Sequence, residues 1–329
     1  MKLGVFTPLF ANLSLDELLI RARQVGLSVL EIGSGGNPGS HHCPVNHLLE
    51  SEKARQDYLQ KFADHDITIS ALSCHNNPLS PNREEAELAD KTLRDTLKLA
   101  HLLGVPVVNT FSGIPGDSET ASYPNWPTLS WPTEYQKIYK WQWETKVIPY
   151  WKDIAQVAES LDVKIGIEMH GGFSVHSPYT ALKLRHATSE YIGVNFDPSH
   201  MWWQGIDPVA AIKILGRESA IVHFHAKDIY MDQDNINMYG VTDMQPYGDV
   251  TTRAWTFRSV GCGHDLKIWS DMMSHLRIYG YDGAISIEHE DPLMSIEEGF
   301  ARAVKNTKAV MIHDASLSKC GGSNEHHNL

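Results

Sequence analysis

Four segments of this sequence run from apolar residues into side chains that bind cations or move protons. They are Ile165-Gly-Ile-Glu168-Met-His170, Asn195-Phe-Asp197-Pro-Ser-His200, His223-Phe-His225-Ala-Lys227-Asp228 and Ser286-Ile-Glu288-His-Glu290-Asp291. If the runs are neighbouring strands of one barrel, their C-terminal ends converge on a single mouth, and residues distant in sequence meet there. Glu168, Asp197 and Glu288 would then repel one another and could not all stay ionised without a cation. One divalent metal ion removes the conflict, with an imidazole as the remaining ligand. Oxygen donors with one imidazole suit Mn²⁺, Mg²⁺, Co²⁺ or Zn²⁺, and the lack of thiolates argues against a structural zinc site. Ligand hardness favours Mn²⁺.

Duller roles exist for each residue. Glu168 could cap the turn that follows it, Asp197 before Pro198 could make an Asx turn, and Glu288 could pair with a lysine at the rim. What favours a metal is that all of them fall at strand ends. His223 and His225 lie two apart, so a strand points both to the same side. His225, nearer the mouth, is the expected ligand; His223 is left as a substrate contact or as a satisfied histidine within the barrel.

The elements that must position these groups are legible as alternating short β-branched runs and amphipathic stretches, the pattern of βα units around a parallel sheet. Candidate strands are Leu3–Phe6, Val29–Ile32, Ile67–Leu72, Pro106–Thr110, Lys164–Glu168, Ile192–Asp197, Ala220–His225 and Ala284–Glu288. Between them lie helical segments such as Ser14–Val25, with a cap-like Ser14-Leu15-Asp16-Glu17, and Arg83–Leu103. Eight strand-helix pairs predict a closed (β/α)₈ TIM barrel, an α/β fold, rather than a doubly wound open sheet. The barrel is expected as a single domain over residues 1–315, with a tail at 316–329 whose sequence has no apolar period. Two stretches are too long for ordinary connections: Ser112–Thr133 after the fourth strand and Ile229–His264 after the seventh. Following strands, they should stand over the C-terminal mouth as lids or substrate walls, or else serve oligomer contacts. Trp126, Trp131, Trp202, Trp203, Tyr247, Arg258 and His264 are the lid residues that could select among reaction outcomes.

The bulk properties exclude several classes. With 28 Lys+Arg against 40 Asp+Glu the net charge is −12, which repels nucleic acid and anionic membranes. Only Cys43, Cys74, Cys262 and Cys320 occur, without a CxxC pair, which fits a reducing cytoplasm. The N-terminus reads as a first strand rather than a signal peptide, and no run approaches the roughly 18 apolar residues of a membrane helix.

Taken together, the glutamate ending the fifth strand, Asp197-Pro-Ser-His200, His225-Ala-Lys227-Asp228 and Ser286–Asp291 resemble the xylose isomerase-like barrels, which include the sugar phosphate isomerases/epimerases. The resemblance covers most of the chain. It implies that Glu168, Asp197, His225 and Glu288 bind the metal and that His200 contacts substrate hydroxyls. The chain departs from the best-known epimerases of that family, which carry a second catalytic glutamate shortly after the fifth-strand ligand; here Gly171, Gly172, Phe173 and Ser174 follow His170. His170, on the same face of its strand as Glu168, takes its place as the proton-transfer residue. The Glu-x-His arrangement is similar to relatives acting on 3-keto sugars, including C-glycoside deglycosidase catalytic subunits.

The expected chemistry is enolisation: a metal-polarised carbonyl makes the neighbouring C–H acidic, and an imidazole with a pKa near 7 removes the proton. Lys227 either stabilises the enediolate or pairs with Asp228. Reprotonation would give epimerisation or aldose-ketose isomerisation, and loss of a β-substituent would give elimination from a 3-keto-glycoside. A sugar-binding subunit without turnover is the non-enzymatic alternative, and an abasic-site endonuclease is disfavoured by the charge. The expected partner is a small sugar or glycoside, bound by a homo-oligomer with or without a small second subunit. Without an Arg or Lys cluster at a strand end, a phosphorylated substrate is disfavoured.

Overall fold

Every apolar run singled out above finds a parallel partner on each side in the computed structural model, which describes residues 1–313. The strands are β1 (Lys2–Phe6), β2 (Val29–Gly33), β3 (Thr68–Ser73), β4 (Val107–Phe111), β5 (Lys164–Glu168), β6 (Ile192–Phe196), β7 (Ile221–Ala226), β8 (Asp228–Met231), β9 (Trp255–Arg258) and β10 (Ala284–Ile287). Eight of them close in the order β1-β10-β7-β6-β5-β4-β3-β2, a (β/α)₈ barrel in a single domain. Boundaries differ from the sequence reading by a residue or two. The proposed tail at 316–329, with Cys320 and the paired His326 and His327, lies outside the described residues.

Closure follows from which faces are apolar. Leu30, Ile32, Leu72, Val108, Ile165, Ile167, Val194, Phe196, Phe224 and Ile287 are buried between strands and helices, where a parallel sheet covered on both faces has to be apolar. The helix Leu15–Gln24 starts on a full capping box between Ser14 and Glu17. The helix Arg83–Leu103 starts on Asn82, whose side chain accepts from the Glu84 and Glu85 amides, and it stops at Gly104 in the left-handed region.

Both long excursions carry structure of their own. After β4 the chain wanders to Pro132, then forms a helical run from Thr133 to Leu161 with one π-type turn at Gln142–Val147. The Gln142 amide ties that loop down by donating to the carbonyls of Gly116 (2.9 Å) and Asn125 (2.7 Å). After β7 the chain folds β8 and β9 into an antiparallel ribbon around a short helix, Gln233–Tyr239. Asp228 clamps the ribbon to the barrel. Its Oδ2 accepts from the amides of Gly261 (2.9 Å), Gly263 (3.1 Å) and His264 (3.0 Å), and its Oδ1 accepts from Ile229 N–H at 2.8 Å.

Candidate metal centre

Parallel register brings the strand ends to one level: Glu168 pairs with Asn195 across β5 and β6, and Ser286 pairs with His225 across β10 and β7. Glu168 ends β5, Asp197 follows β6, His225 is the penultimate residue of β7, and Glu288 follows β10. Each offers one ligand atom to a group in which all such atoms lie within 4.8 Å of one another. Glu168 and Glu288 of this group line a cavity of about 430 Å³, together with His170, His200 and Lys227, while Asp197 and His225 are fully buried behind them.

Asp197 shows why this cluster suits a cation. It caps the short helix Pro198–Trp202, its Oδ1 accepting from Ser199 N–H at 2.8 Å, so the Asx-type role expected of it is real. Its Oδ2 is buried without a hydrogen-bond partner. Lys227 Nζ stands 3.1 Å from that oxygen without the alignment of a hydrogen bond. Burial, with the nearby carboxylates of Glu168 and Glu288, pushes the Asp197 carboxyl up to about 7 even though Lys227 opposes the shift. A buried acceptor with an open lone pair, beside two carboxylates and an imidazole, is a donor set that fits a hard or borderline divalent ion.

The surrounding groups answer the same charge. Burial alone would raise Glu168, but the His225, His75 and His200 rings hold it well below the usual carboxylate range. His75 Nε2 lies 2.9 Å and His200 Nε2 3.2 Å from its oxygens. For His225, burial favours the neutral ring, yet Glu31, Glu288 and Glu168 raise it well above the ordinary histidine value. Its Nδ1 lies 3.0 Å from Glu288 Oε2 and 3.4 Å from Glu168 Oε2. Lys227 donates to Glu288 at 2.8 Å and Glu290 at 3.0 Å, and sits over the Phe257 ring at 4.6 Å. The expected alternative of a Lys227–Asp228 pair is therefore corrected: Asp228 is turned away, engaged by the amides of the ribbon. Glu288 does have the lysine partner that its structural reading required.

His170 is in the cavity wall, its ring centroid 4.0 Å from that of His200. Its Nδ1–H donates to the Gly171 carbonyl, which leaves Nε2 as the nitrogen with the lone pair. Burial lowers its pKa and favours the neutral ring. Both ring nitrogens of His200 are buried without a hydrogen bond, an unusual state for a histidine that has no ligand to meet.

Other expected substrate contacts are placed elsewhere. His223 lies within the barrel beneath the ligands, with Nδ1 3.1 Å from Asn195 Oδ1 and Nε2 3.3 Å from Ser70 Oγ, so it is the satisfied barrel histidine. Arg258 is outside the cavity because its Nε donates to Asp291 at 3.0 Å. His264 stacks on Trp202 at 3.9 Å and binds Asp228 through Nδ1 at 2.8 Å. Trp126 packs edge-to-face on His176, with centroids 5.4 Å apart. Tyr247 does line the cavity as expected, and the rest of the apolar wall comes from Phe6, Phe111, Trp255 and Phe257. Of the two long excursions, only the one after β7 lines the cavity.

Sequence reasoning missed Glu31 and His75. Glu31 interrupts the apolar run Val29-Leu30-Glu31-Ile32, a charged residue where both neighbours must be buried. His75 follows β3 as Asp197 and Glu288 follow their strands. Either signal could have found its residue.

A model of the family described as xylose isomerase-like TIM barrel matches residues 19–310. The chain is 36% identical over 314 residues to the uncharacterized protein YfiH of Bacillus subtilis (strain 168), covering 94% of this chain and 98% of that one. Among solved structures, it is similar to the IOLI protein with a binding zinc atom at TM-score 0.62 and 20% identity, covering 94% and 98% of the two chains. It is also similar to D-psicose 3-epimerase determined in the presence of D-fructose, at TM-score 0.58 and 15% identity over 94% and 98%. No helix among the described residues is long and apolar enough to cross a membrane.

Proposed function

This chain belongs to the xylose isomerase-like TIM barrel family, and from that premise we propose that it is a divalent-metal-dependent sugar isomerase or epimerase that moves a proton beside a carbonyl. The observation that carries the reading is the convergence of ligand atoms from Glu168, Asp197, His225 and Glu288 within 4.8 Å of one another, two of these residues lining the cavity, with an Asp197 oxygen that has no hydrogen bond. Those four residues would hold the ion, Mn²⁺ being favoured by the oxygen-rich donor set and Mg²⁺, Co²⁺ or Zn²⁺ fitting the same set. The bound ion supplies Lewis acidity to a substrate carbonyl, which acidifies the adjacent C–H.

The protein's own side chains do the rest. His170 offers Nε2 as the base, because its Nδ1–H is committed to the Gly171 carbonyl. His200, whose Nδ1 has no hydrogen bond and whose Nε2 lies 3.2 Å from Glu168, stands beside His170 and meets substrate hydroxyls. Lys227 supplies positive charge near the developing oxyanion. Among the described residues it is the only Lys or Arg lining the cavity, and three carboxylates already surround it. A phosphate would find no uncommitted cation, so the substrate is an unphosphorylated sugar or keto-sugar.

A second reading draws on the apolar wall of Phe6, Phe111, Tyr247, Trp255 and Phe257, which is more aromatic surface than a small polyol requires. It favours elimination from a 3-keto-glycoside through the same proton abstraction. The test is deuterium uptake from D₂O, followed by NMR, on Mn²⁺-loaded protein with ketoses, aldoses and 3-keto-glycosides. Uptake at one α-carbon, lost in Glu168→Gln and His170→Ala, is expected, and the product separates isomerase, epimerase and lyase. A metal-loaded protein that binds these sugars and exchanges none of their protons would be a binding subunit instead.

A further inference from the structure

Glu31 takes no part in the mechanism above, yet its two oxygens face four side-chain partners inside the barrel. It is completely buried. Ser73 Oγ and Asn109 Nδ2 donate to its Oε1 at 2.6 and 2.9 Å, and Ser286 Oγ donates to its Oε2 at 2.6 Å. The remaining partner is His225, whose Nε2 lies 2.9 Å from Oε2 and 3.0 Å from Oε1. In the closed sheet, β10 and β1 stand between β7 and β2, so this contact is a brace across the barrel interior.

Glu31, His223 and His225 bring ligand atoms within 4.8 Å of one another, which raises the question of a second ion. The donors answer it. Both Glu31 oxygens are already filled by O–H and N–H groups, and His223 Nδ1 faces Asn195 Oδ1, so a cation would have to displace several hydrogen bonds. The open acceptor is Asp197 Oδ2, on the other side of the His225 ring.

We infer that Glu31 is a positioning residue: it accepts the Nε2–H of His225 and thereby commits Nδ1 as the nitrogen offered to the metal. The inference rests on the metal reading of the previous subsection. An imidazole has two nitrogens that compete for a cation, and a second partner on one of them fixes the tautomer and the ring orientation. Here Phe6 stacks on the His225 ring with centroids 5.4 Å apart and 28° between planes, holding the ring plane. Glu31 holds the rotation within it. Nδ1 then faces Glu288 and Glu168, as observed.

The test uses full-length protein labelled with ¹⁵N-histidine and loaded with Zn²⁺, compared with Glu31→Gln and Ser286→Ala. In the parent protein His225 should show zinc on Nδ1 and a proton on Nε2. Glu31→Gln must turn an amide donor toward groups that themselves donate, and should weaken zinc by about 10–100-fold in a chelator competition. Ser286→Ala removes one donor from Glu31 without leaving a charge unpaired, and should cost less while broadening or shifting the Nε2–H signal. That variant carries the test if Glu31→Gln does not fold. Zinc on Nε2, unchanged affinity in folded Glu31→Gln, or a second ion per chain that disappears in Glu31→Gln would overturn the inference. A parent protein that binds no zinc would overturn the metal reading as well, whereas one ion bound through Nε2 would leave that reading intact.

Discussion

The two oxygens of Asp197 have separate tasks, and most of the site follows from that division. One caps a helix and fixes the side chain; the other is buried without a hydrogen bond, with the Lys227 ammonium 3.1 Å away. His170 is divided the same way, with one nitrogen spent on the Gly171 carbonyl and the other left with its lone pair. Asp291 is a carboxylate used only for structure. Burial pushes its pKa up, but the Ser259 amide, the Arg258 guanidinium and the Leu293 amide outweigh it and leave the value lowered. Because the folded value is depressed, its contribution to stability is present above the unfolded value of about 4 and is lost as pH falls through the folded one. Asp291→Asn should therefore lower the urea midpoint by a constant amount above about pH 5, and the gap to the parent should close below about pH 4. A gap that stays constant to pH 3 would show that charge is not what Asp291 contributes.

At the scale of elements, the turn after β5 decides where His170 points. Gly171 sits against the Trp203 ring, and a methyl group there would collide with it. Trp203 cannot yield, being buried and stacked on Trp255 at 5.2 Å. Gly171→Ala should cost about 1–3 kcal/mol of stability, as overpacking does, and should reduce proton exchange while metal affinity stays near the parent value, since no ligand moves. Equal losses of metal and exchange would mean that the turn also supports Glu168. Strand ends were legible because period and residue type agree there: Glu168, Asp197, His225 and Glu288 each close an apolar run. The wall was not. Trp126, Arg258 and His264 have the right chemistry for a substrate contact, but whether a loop residue faces the cavity depends on how the ribbon folds back, which no local pattern records. Trp255 and Phe257 face inward because β9 pairs with β8. Asp228 reads in sequence as a partner for Lys227; its real partners lie as far away as Trp269, whose indole N–H donates to Oδ2 at 3.3 Å.

For the whole molecule, the barrel brings chemistry from four strands to one point and leaves it electrostatically incomplete. A ligand that binds only the folded state stabilises it by about 2.7 kcal/mol at a hundredfold excess over Kd. Divalent metal should accordingly raise the melting temperature by several degrees, EDTA should reverse the rise, and Asp197→Asn should melt without responding to either. A response retained in Asp197→Asn would place the ion elsewhere. Net charge sets the background: at −12, part of the self-repulsion is concentrated at this mouth, and a dication relieves it. The most direct measurement is an anomalous difference map from crystals of the Mn²⁺-loaded protein. The account predicts one strong peak per chain, bounded by Glu168, Asp197 Oδ2, His225 Nδ1 and Glu288. A map without that peak, or with its strongest peak between Glu31, His223 and His225, would contradict it.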